Sequence, residues 1–381
     1  MTKKSICFIV SSPFTAKVFL LNHIKVLSKE FNVYLVANFD DFEKSMFSSS
    51  HLTSIKHIAI PREINIMKDI NALLNLRTYL KKNNFDAVHT VTPKAGLIGI
   101  TASKLAMIKM RTHIFTGQVW HTKKGIFKHF LKFLDKIIVW NATNILVDGE
   151  SQRQFLINNN IIKNSNSLVL GKGSISGVDI NKFIPNKSIR KEIRKELNIK
   201  TNETVFMFLG RMNIDKGIPE LADAFNKLKN NYKNVKLLLV GGDEGNLTQL
   251  VKEKINDSSS VIFYGITPKP EHLIQACDIF CLPSHREGFG TSIIEASLLE
   301  KPIICSDTYG LMETIIENKT GLRHQVNDVN SLYTQMEKLV NNKDTIIKLG
   351  KEGRRYILQH FTANIISEKW LEYYKNNLIN S

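Results

Sequence analysis

The sequence predicts an α/β protein made of two tandem Rossmann-like domains, each built on a doubly wound parallel sheet. Three observations predict this class. The chain has 381 residues, of which 43% are hydrophobic, and this is enough for two ordinary cores. Short β-rich runs alternate with helix-like runs through both halves of the chain, and a glycine-rich segment at 171–177 interrupts the alternation.

The first half of the chain alternates regularly from its first apolar run. That run ends at Ser11-Ser12-Pro13, too early for a signal peptide, so we interpret it as a strand. The predicted strands are 5–11, 32–38, 57–60, 87–90, 111–115, 144–147 and 167–170, and the predicted helices are 17–29, 65–82, 97–108, 123–140 and 151–158. Strands alternating with helices indicate a parallel sheet.

The second half repeats the pattern after the glycine-rich segment. Its predicted strands are 204–209, 236–240, 261–264, 279–282 and 302–305, with helices between them. We therefore place an N-terminal domain at 1–172 and a C-terminal domain at 173–360. The last segment, 361–381, is predicted to form a helix that packs back on the first domain.

Charge is distributed unevenly along the chain. The formal net charge is +17, and residues up to Ile184 hold 25 Lys and Arg against 11 Asp and Glu, so this half carries +14. Such a field attracts nucleic acid, anionic lipid or phosphorylated substrates. We expect no nucleic acid partner, because zinc-finger spacing, an RRM signature and a basic heptad arm are all missing. The four scattered cysteines predict reduced thiols and a cytoplasmic protein.

The segment 123–140 predicts a basic amphipathic helix. Lys124, Lys128, Lys132 and Lys136 recur every four residues, whereas the apolar residues fall on the other side. Those apolar residues are Phe127, Phe130, Leu131, Leu134, Ile137 and Ile138. Two interpretations remain open: a helix that lies on an acidic bilayer surface, and an ordinary solvated face over a domain core.

Two cations follow the first strand of the second half. Gly210 begins a loop in which Arg211 and Lys216 lie at the carboxyl end of that strand, where doubly wound sheets bind ligands. A planar guanidinium and a compact ammonium can both reach one diphosphate and neutralise the charge that develops when it leaves. The alternative is a loop with two solvated cations.

Two carboxylates eight positions apart flank a glycine-rich turn after strand 279–282. Glu287 precedes the turn and Glu295 lies in the helix that begins near Thr291. The turn is Gly288-Phe289-Gly290, whose backbone N–H groups can approach an anion beside the positive helix end. The alternatives are a solvated acid at Glu287 and charge complementarity to the helix N-terminus at Glu295.

These motifs resemble glycosyltransferase family 4, whose members are retaining transferases of the GT-B fold with a deep cleft between two domains. The resemblance rests on E-x7-E within PSHREGFGTSIIEA, GRM-x3-KG at 210–217, LLVGGDEG at 238–245 and GSISGVD in the linker. It implies that Arg211 and Lys216 hold a donor diphosphate, that Glu287 binds sugar hydroxyls and that Glu295 binds the ribose. It also implies that the backbone at Gly265 and Ile266 faces the base. The implied catalytic residues are Arg211, Lys216 and Glu287.

Two segments of the first half resemble a subgroup that builds bacterial capsule or O-antigen repeat units. They are 89–96 and 115–120. The acceptor-side candidates are Ser12, His89, Lys94, Thr116, Gly117, Gln118 and Trp120. Ser11-Ser12-Pro13 stands where many members have a glycine pair, and Thr116 stands where many have a histidine. His89 also has the interpretation of a hydrogen-bonded structural residue.

The resemblance implies transfer of a sugar from a UDP-sugar to a polyprenyl-diphosphate-linked saccharide. The sugar is expected to be an N-acetylated hexosamine or a hexose, and no cofactor or metal is expected. The expected location is the cytoplasm, with peripheral binding at the inner face of the plasma membrane. Three alternatives remain open: a nucleotide-sugar epimerase or hydrolase, a non-catalytic binding protein, and a basic nucleic-acid-binding protein.

Overall fold

The protein divides into two compact units in a computed structural model that describes residues 3–45, 47, 51–61 and 65–380. The first unit is Met1–Gly177 together with Ala363–Ser381, and the second unit is Val178–Thr362. The chain thus passes from the first unit to the second at the end of the glycine-rich segment, after residue 177, whereas the boundary predicted from the sequence lies after residue 172.

Within the described residues, the first unit is a parallel seven-stranded sheet with helices on both faces. Its strand order is β3-β2-β1-β4-β5-β6-β7. The strands are β1 (Ser5–Ile9), β2 (Asn32–Ala37), β3 (Ser54–His57), β4 (Ala87–Val91), β5 (Met110–Phe115), β6 (Asn144–Val147) and β7 (Ser167–Val169). The helices are α1 (Pro13–Phe19), α2 (Leu21–Leu27), α3 (Asp41–Ser45), α4 (Ile66–Asn83), α5 (Pro93–Leu105), α6 (Gly125–Asn141) and α7 (Glu150–Asn158).

The second unit, all of whose residues are described, is a parallel six-stranded sheet of order β10-β9-β8-β11-β12-β13. Its strands are β8 (Thr204–Leu209), β9 (Val235–Val240), β10 (Val261–Gly265), β11 (Ile279–Leu282), β12 (Ile303–Ser306) and β13 (Gly321–His324). Its helices are α8 (Lys187–Glu196), α9 (Ile218–Asn231), α10 (Leu247–Lys254), α11 (Pro270–Ala276), α12 (Thr291–Leu298), α13 (Val329–Val340) and α14 (Lys343–His360). The central strands are continuous apolar runs because helices cover both faces of the sheet.

The last helix, α15 (Ala363–Leu378), packs on the first unit. Its Trp370 ring stacks between the imidazoles of His23 and His89, at centroid distances of 4.4 and 4.7 Å. The His23 ring is also bonded at both nitrogens, to the Ser367 hydroxyl at 2.9 Å and the Ile175 carbonyl at 2.6 Å. Aromatic stacking and satisfied hydrogen bonds therefore fix this helix against β1, β4 and α2.

Two predicted elements are wrong in detail, and one strand was not predicted. The strand predicted at 57–60 lies at Ser54–His57, because an edge strand that pairs on one side tolerates polar residues. The helix predicted at 17–29 is divided at Leu20 into α1 and α2. Strand β13 was missed because its sequence, GLRH, contains two polar side chains and gives no apolar run.

The structure also shows the state of the cysteines and the apolar length of the helices. Cys7, Cys277, Cys281 and Cys305 are buried free thiols, in agreement with the prediction of reduced cysteines. Among the described helices, none is both long enough and apolar enough to cross a membrane.

The buried histidines make the stability of the first unit depend on pH. Burial lowers the pKa of His23 to about 4 and that of His113 to about 3, and it lowers the pKa of His89 as well. The unfolded chain binds protons near pH 6.5 while the folded chain does not, so stability is lost as pH falls from 6.5 through 4. His23 alone accounts for a loss of about 3 kcal/mol.

Tryptophan fluorescence measures this effect in the first unit alone, since Trp120, Trp140 and Trp370 all lie there. We expect urea denaturation of the wild type to show the free energy of unfolding falling from pH 7.5 to pH 4.5. In His23→Gln the protein should be less stable at pH 7.5, but the fall with pH should be smaller. An identical fall in both proteins would contradict the assignment to His23.

Candidate active site

The cations and carboxylates predicted in the second unit meet at the carboxyl ends of β8 and β11. The Lys216 loop (residues 210–217) follows β8, and the Glu287 loop (residues 283–290) follows β11. The Lys216 ammonium forms an ion pair with Glu287 Oε1, and both side chains are largely buried, at 18% and 13% exposure. The sequence predicted both residues in one site, and the structure brings them into direct contact.

Close backbone packing makes this contact possible. Gly217 has φ +68°, in the left-handed region, and a Cβ there would lie 2.1 Å from the Pro283 carbonyl oxygen. Gly310 packs on the other side of the Glu287 loop, where a Cβ would lie 2.5 Å from the Glu287 carbonyl oxygen. Side chains at these positions would push the loops apart, so the two glycines set where Glu287 lies.

Polar contacts hold the Glu287 loop on every side. The Ser284 hydroxyl donates to Glu287 Oε1 at 2.8 Å. Arg286 pairs with Asp215 at 2.8 Å, and the His285 amide donates to the Asp215 carbonyl at 2.8 Å. His285 Nε2 lies 3.1 Å from Glu220 Oε1. Asp215, Glu220 and Arg286 were not predicted, although each lies within or directly beside a predicted motif.

Arg211 lies outside this contact. Its side chain is 54% exposed, and its guanidinium pairs with Glu244 at 3.1 Å, while Asn213 Nδ2 donates to the same carboxylate at 3.2 Å. Glu244 belongs to the LLVGGDEG motif that follows β9, the strand beside β8. The motif contributes to the family resemblance, but the sequence alone predicts no role for its acid. The neighbouring strand ends explain why the two side chains meet.

Glu295 lies just over one turn into α12 and is partly buried. Among the described residues, no group hydrogen-bonds its carboxylate. Desolvation raises the pKa of Glu295 to about 7, while Lys182 lowers it and Glu271 raises it further. A carboxyl group without a protein partner and with a pKa near neutrality is an available acceptor at the start of a helix.

The glycine-rich turn between the two glutamates offers backbone groups. Phe289 is buried and its ring packs on Phe361 at 5.4 Å, so its side chain belongs to the core and not to a binding surface. Within the described chain, no partner bonds the amides of Gly288 and Phe289. These amides lie next to Gly290 and Thr291, where α12 begins, and this is an arrangement that favours anions.

The segment predicted to face a base lies at the end of β10. The Gly241 amide donates to the Gly265 carbonyl at 2.8 Å, which ties this turn to the end of β9. The Ile266 side chain is 82% exposed and lies beside Gly242. Ile266 is therefore a free apolar surface next to the motif that holds Glu244.

The structure contradicts an acceptor-side role for the His89 side chain. His89 is fully buried on β4, stacked on Phe8 and Trp370, and its Nδ1 lies 2.6 Å from the Tyr374 hydroxyl. A side chain enclosed by core aromatics cannot touch a ligand, so His89 is the structural residue of the alternative interpretation.

Three other acceptor-side candidates line one cavity. Lys94, Gly117 and Trp120 surround a space of about 140 Å³ between α6 and the ends of β4 and β5. Asp135 of α6 also lines it, accepts a hydrogen bond from Trp120 Nε1 at 2.7 Å, and was not predicted. Burial raises the pKa of Asp135 to about 6, partly offset by that hydrogen bond.

The remaining acceptor-side candidates are not among the residues that line this cavity. Ser12 is the N-cap residue of α1, with no side-chain capping bond. Gln118 is buried and accepts from Gln152 Nε2 at 3.2 Å. Thr116 is partly exposed beside Gly117.

The basic helix exists as α6, but its faces differ from the prediction. Leu131, Leu134, Asp135 and Ile138 face the unit, whereas a second apolar face points outwards. The most exposed members of that outer face are Ile126, Phe127, Phe130, Phe133 and Trp140. The lysines Lys128, Lys132 and Lys136 are partly covered and lie between the two faces. The prediction placed all apolar residues on one side and overlooked Phe133 and Trp140.

Metal ligands do not cluster in this site. In the part of the chain that the structure describes, no three His, Cys, Asp or Glu side chains come together in a way that could hold a metal ion.

Comparison with known proteins identifies the class. A family model described as glycosyl transferases group 1 matches residues 189–356. The capsular polysaccharide biosynthesis glycosyltransferase CapM of Staphylococcus aureus is 31% identical over 316 residues, covering 82% of each chain. An α-1,3-galactosyltransferase of Escherichia coli is 26% identical, covering 86% of this chain and 85% of its own. The structure of Anabaena HepE with UDP aligns over 98% of this chain and 100% of that chain with a TM-score of 0.80 at 19% identity.

The fold and the two motif-bearing loops therefore define a glycosyltransferase of the GT-B fold. The chain belongs to the group 1 glycosyl transferases.

The contact between Gly217 and Pro283 predicts a large effect of one methyl group. In Gly217→Ala the Cβ collides with a backbone carbonyl and the left-handed φ is strained, so we expect the second unit to lose about 2 kcal/mol or more. Gly245→Ala is the matched control, because a Cβ there meets nothing within 4 Å. Calorimetry should show a lower melting temperature only for Gly217→Ala. Equal melting temperatures of both variants would contradict the packing argument.

Proposed function

We propose that the protein transfers a sugar from a UDP-sugar to a hydroxyl of a polyprenyl-diphosphate-linked saccharide, with retention of anomeric configuration, in capsule or O-antigen synthesis. The observation that carries the proposal is the Lys216–Glu287 contact at the carboxyl ends of β8 and β11. The names of two relatives support the proposed donor and acceptor classes. The E. coli relative is a UDP-Gal:α-D-GlcNAc-diphosphoundecaprenol α-1,3-galactosyltransferase. A Campylobacter jejuni relative, 29% identical, uses an N,N′-diacetylbacillosaminyl-diphospho-undecaprenol acceptor. The transferred sugar is an N-acetylated hexosamine or a hexose.

Lys216 and Arg211 are the groups proposed to hold the donor diphosphate. A lysine ammonium has three donors, so Lys216 can keep its bond to Glu287 and still bind a phosphate oxygen. Arg211 bonds Glu244 through one nitrogen and keeps its other donors for the diphosphate. The unbonded amides of Gly288 and Phe289 add neutral donors beside the positive end of α12.

Glu287 is proposed to bind the donor sugar. Its Oε1 accepts from Lys216 and Ser284, while no described residue bonds Oε2. A carboxylate oxygen in this position accepts hydrogen bonds from sugar hydroxyls. The fixed loop around it supplies the orientation that a transfer reaction needs.

The proposed sugar transfer needs no side chain that acts as a base. As the bond between the anomeric carbon and the UDP oxygen breaks, the acceptor oxygen bonds to that carbon on the same face. The acceptor proton passes to the departing diphosphate oxygen, so charge and atoms balance. Lys216, Arg211 and the turn amides stabilise the negative charge that grows on the diphosphate.

Glu295 is proposed to accept both ribose hydroxyls. Hydroxyl donors favour the ionised carboxylate, so nucleotide binding lowers the raised pKa of Glu295 and releases a proton near pH 7. The free energy of UDP binding should therefore become more favourable as pH rises from 6 to 8.

Thermal melting tests the donor site. Because a ligand that binds only the folded state raises the melting temperature, UDP should raise that of the second unit, whereas GDP, ADP and TDP should have smaller effects. In Glu295→Gln the UDP shift should shrink and lose its increase between pH 6 and 8. Glu300→Gln, at an exposed site directly after α12, is the control. No shift with any nucleotide at millimolar concentration would overturn the proposal, and donor breakdown without acceptor would favour a hydrolase.

Metal independence is also proposed, because the cations and amides of the site already supply the charge that the diphosphate needs. Sugar transfer should continue unchanged in excess EDTA. Activity that EDTA abolishes and Mn²⁺ restores would contradict this.

We further propose that α6 holds the protein on the inner face of the plasma membrane. The outer face of α6 exposes Ile126, Phe130, Phe133 and Trp140, with lysines along one side. Aromatic side chains that enter the interface beside cations that meet anionic headgroups are typical of interfacial helices. The +14 charge of the first half acts in the same direction.

Sedimentation with vesicles that contain anionic phospholipid tests this surface. Replacing Lys124, Lys128 and Lys132 with Glu should reduce the bound fraction severalfold, and Phe133→Ser should reduce it even at high salt. Lys351→Glu, on exposed surface of the second unit, is the charge control. Unchanged binding of both α6 variants would exclude the membrane role.

A further inference from the structure

The cavity between α6 and the ends of β4 and β5 has apolar walls. It has a volume of about 140 Å³ and is lined mainly by Leu97, Val119, Leu131, Leu134 and Ile138. Apolar cavities of about 150 Å³ stay dry and bind benzene, a ring of six carbons. This cavity is therefore large enough for a hydrocarbon group of about five carbons.

The polar side chains that line the cavity are bonded to protein groups. Lys94 Nζ pairs with Asp69 at 2.7 Å, and Trp120 Nε1 donates to Asp135 at 2.7 Å. A polar occupant would lose its bonds to water and gain little in exchange, whereas an apolar occupant loses nothing. The lining thus favours hydrocarbon over sugar.

The position of the cavity links it to an anionic lipid. It lies at the carboxyl ends of parallel strands, where doubly wound sheets bind ligands. Lys94 lines it, and the Lys132 ammonium lies 5.1 Å from the centre of the Trp120 ring. Lys94 is paired with Asp69 and Lys132 donates to the Asn159 side chain at 3.1 Å. Because an ammonium has three donors, both lysines can keep these bonds and still bind the diphosphate at the end of a hydrocarbon chain.

We propose that this cavity holds the isoprenoid unit next to the diphosphate of a lipid-linked acceptor. The inference rests on the proposed function, from which the acceptor class comes. In this proposal Leu97 and Val119 help to select acceptors by their lipid, and other residues recognise the saccharide.

Trp120 fluorescence provides a direct readout, because its indole is part of the cavity wall. The full-length chain with Trp140→Phe leaves Trp120 and the core residue Trp370 as emitters. Farnesyl diphosphate should change the emission with saturation. Inorganic diphosphate, which lacks the hydrocarbon, should change it only at much higher concentration, and N-acetylglucosamine 1-phosphate should not change it.

Two variants fill the cavity. Leu97→Phe adds volume from α5, and Val119→Phe does so from a site that is 41% exposed and therefore tolerant of a larger side chain. Each should raise the half-saturating concentration of farnesyl diphosphate at least tenfold. Leu105→Phe, the same change at an exposed site on α5, should have no effect. If Leu97→Phe fails to fold, Val119→Phe decides.

Equal half-saturation in all three variants, or an emission change produced by the sugar phosphate, would overturn the proposal. The rise in melting temperature with UDP tests the donor site independently of the cavity. If UDP raises the melting temperature but farnesyl diphosphate does not change the emission, the proposed function stands and the inference about the cavity is wrong. If the protein binds farnesyl diphosphate but no nucleotide changes its melting temperature, the cavity is a lipid site and the proposed transferase function is wrong.

Discussion

The ion pair between Lys216 and Glu287 is the interaction on which the candidate site depends. It joins the loops after β8 and β11, two neighbouring strands whose carboxyl ends lie side by side. Taking both charges out of water is costly, and their mutual attraction together with the hydrogen bond from the Ser284 hydroxyl offsets part of that cost. The close packing at Gly217 keeps the two loops near enough for this contact. The ion pair therefore depends on rigid neighbouring loops. It holds an ammonium and a carboxylate in place for a ligand that carries both phosphate and hydroxyl groups.

The second unit was predictable from sequence because its chemistry is local. Arg211, Lys216, Glu287 and Glu295 each lie a few residues from the end of a strand or the start of a helix, so a correct strand assignment places them. Their partners could not be predicted in the same way. Glu244 meets Arg211 only because β9 lies beside β8, and this depends on strand order.

The first unit shows the limits of sequence more clearly. His89 was a candidate because a polar residue ends a strand, but α15, almost 300 positions later, covers it with Trp370 and Tyr374. Helix α6 was predicted as amphipathic with one apolar side, but its neighbours cover only part of that surface. Long-range packing decides which apolar residues are core and which, like Phe133 and Trp140, are exposed. Sequence periodicity alone carries no such information.

A crystal structure of the full-length chain with a UDP-sugar tests the central claim most directly. The account predicts the diphosphate against Lys216 and the amides of Gly288 and Phe289, the ribose hydroxyls on Glu295, and the sugar within hydrogen-bond distance of Glu287 Oε2. A nucleotide bound elsewhere, with the Lys216–Glu287 pair untouched by the ligand, would contradict it.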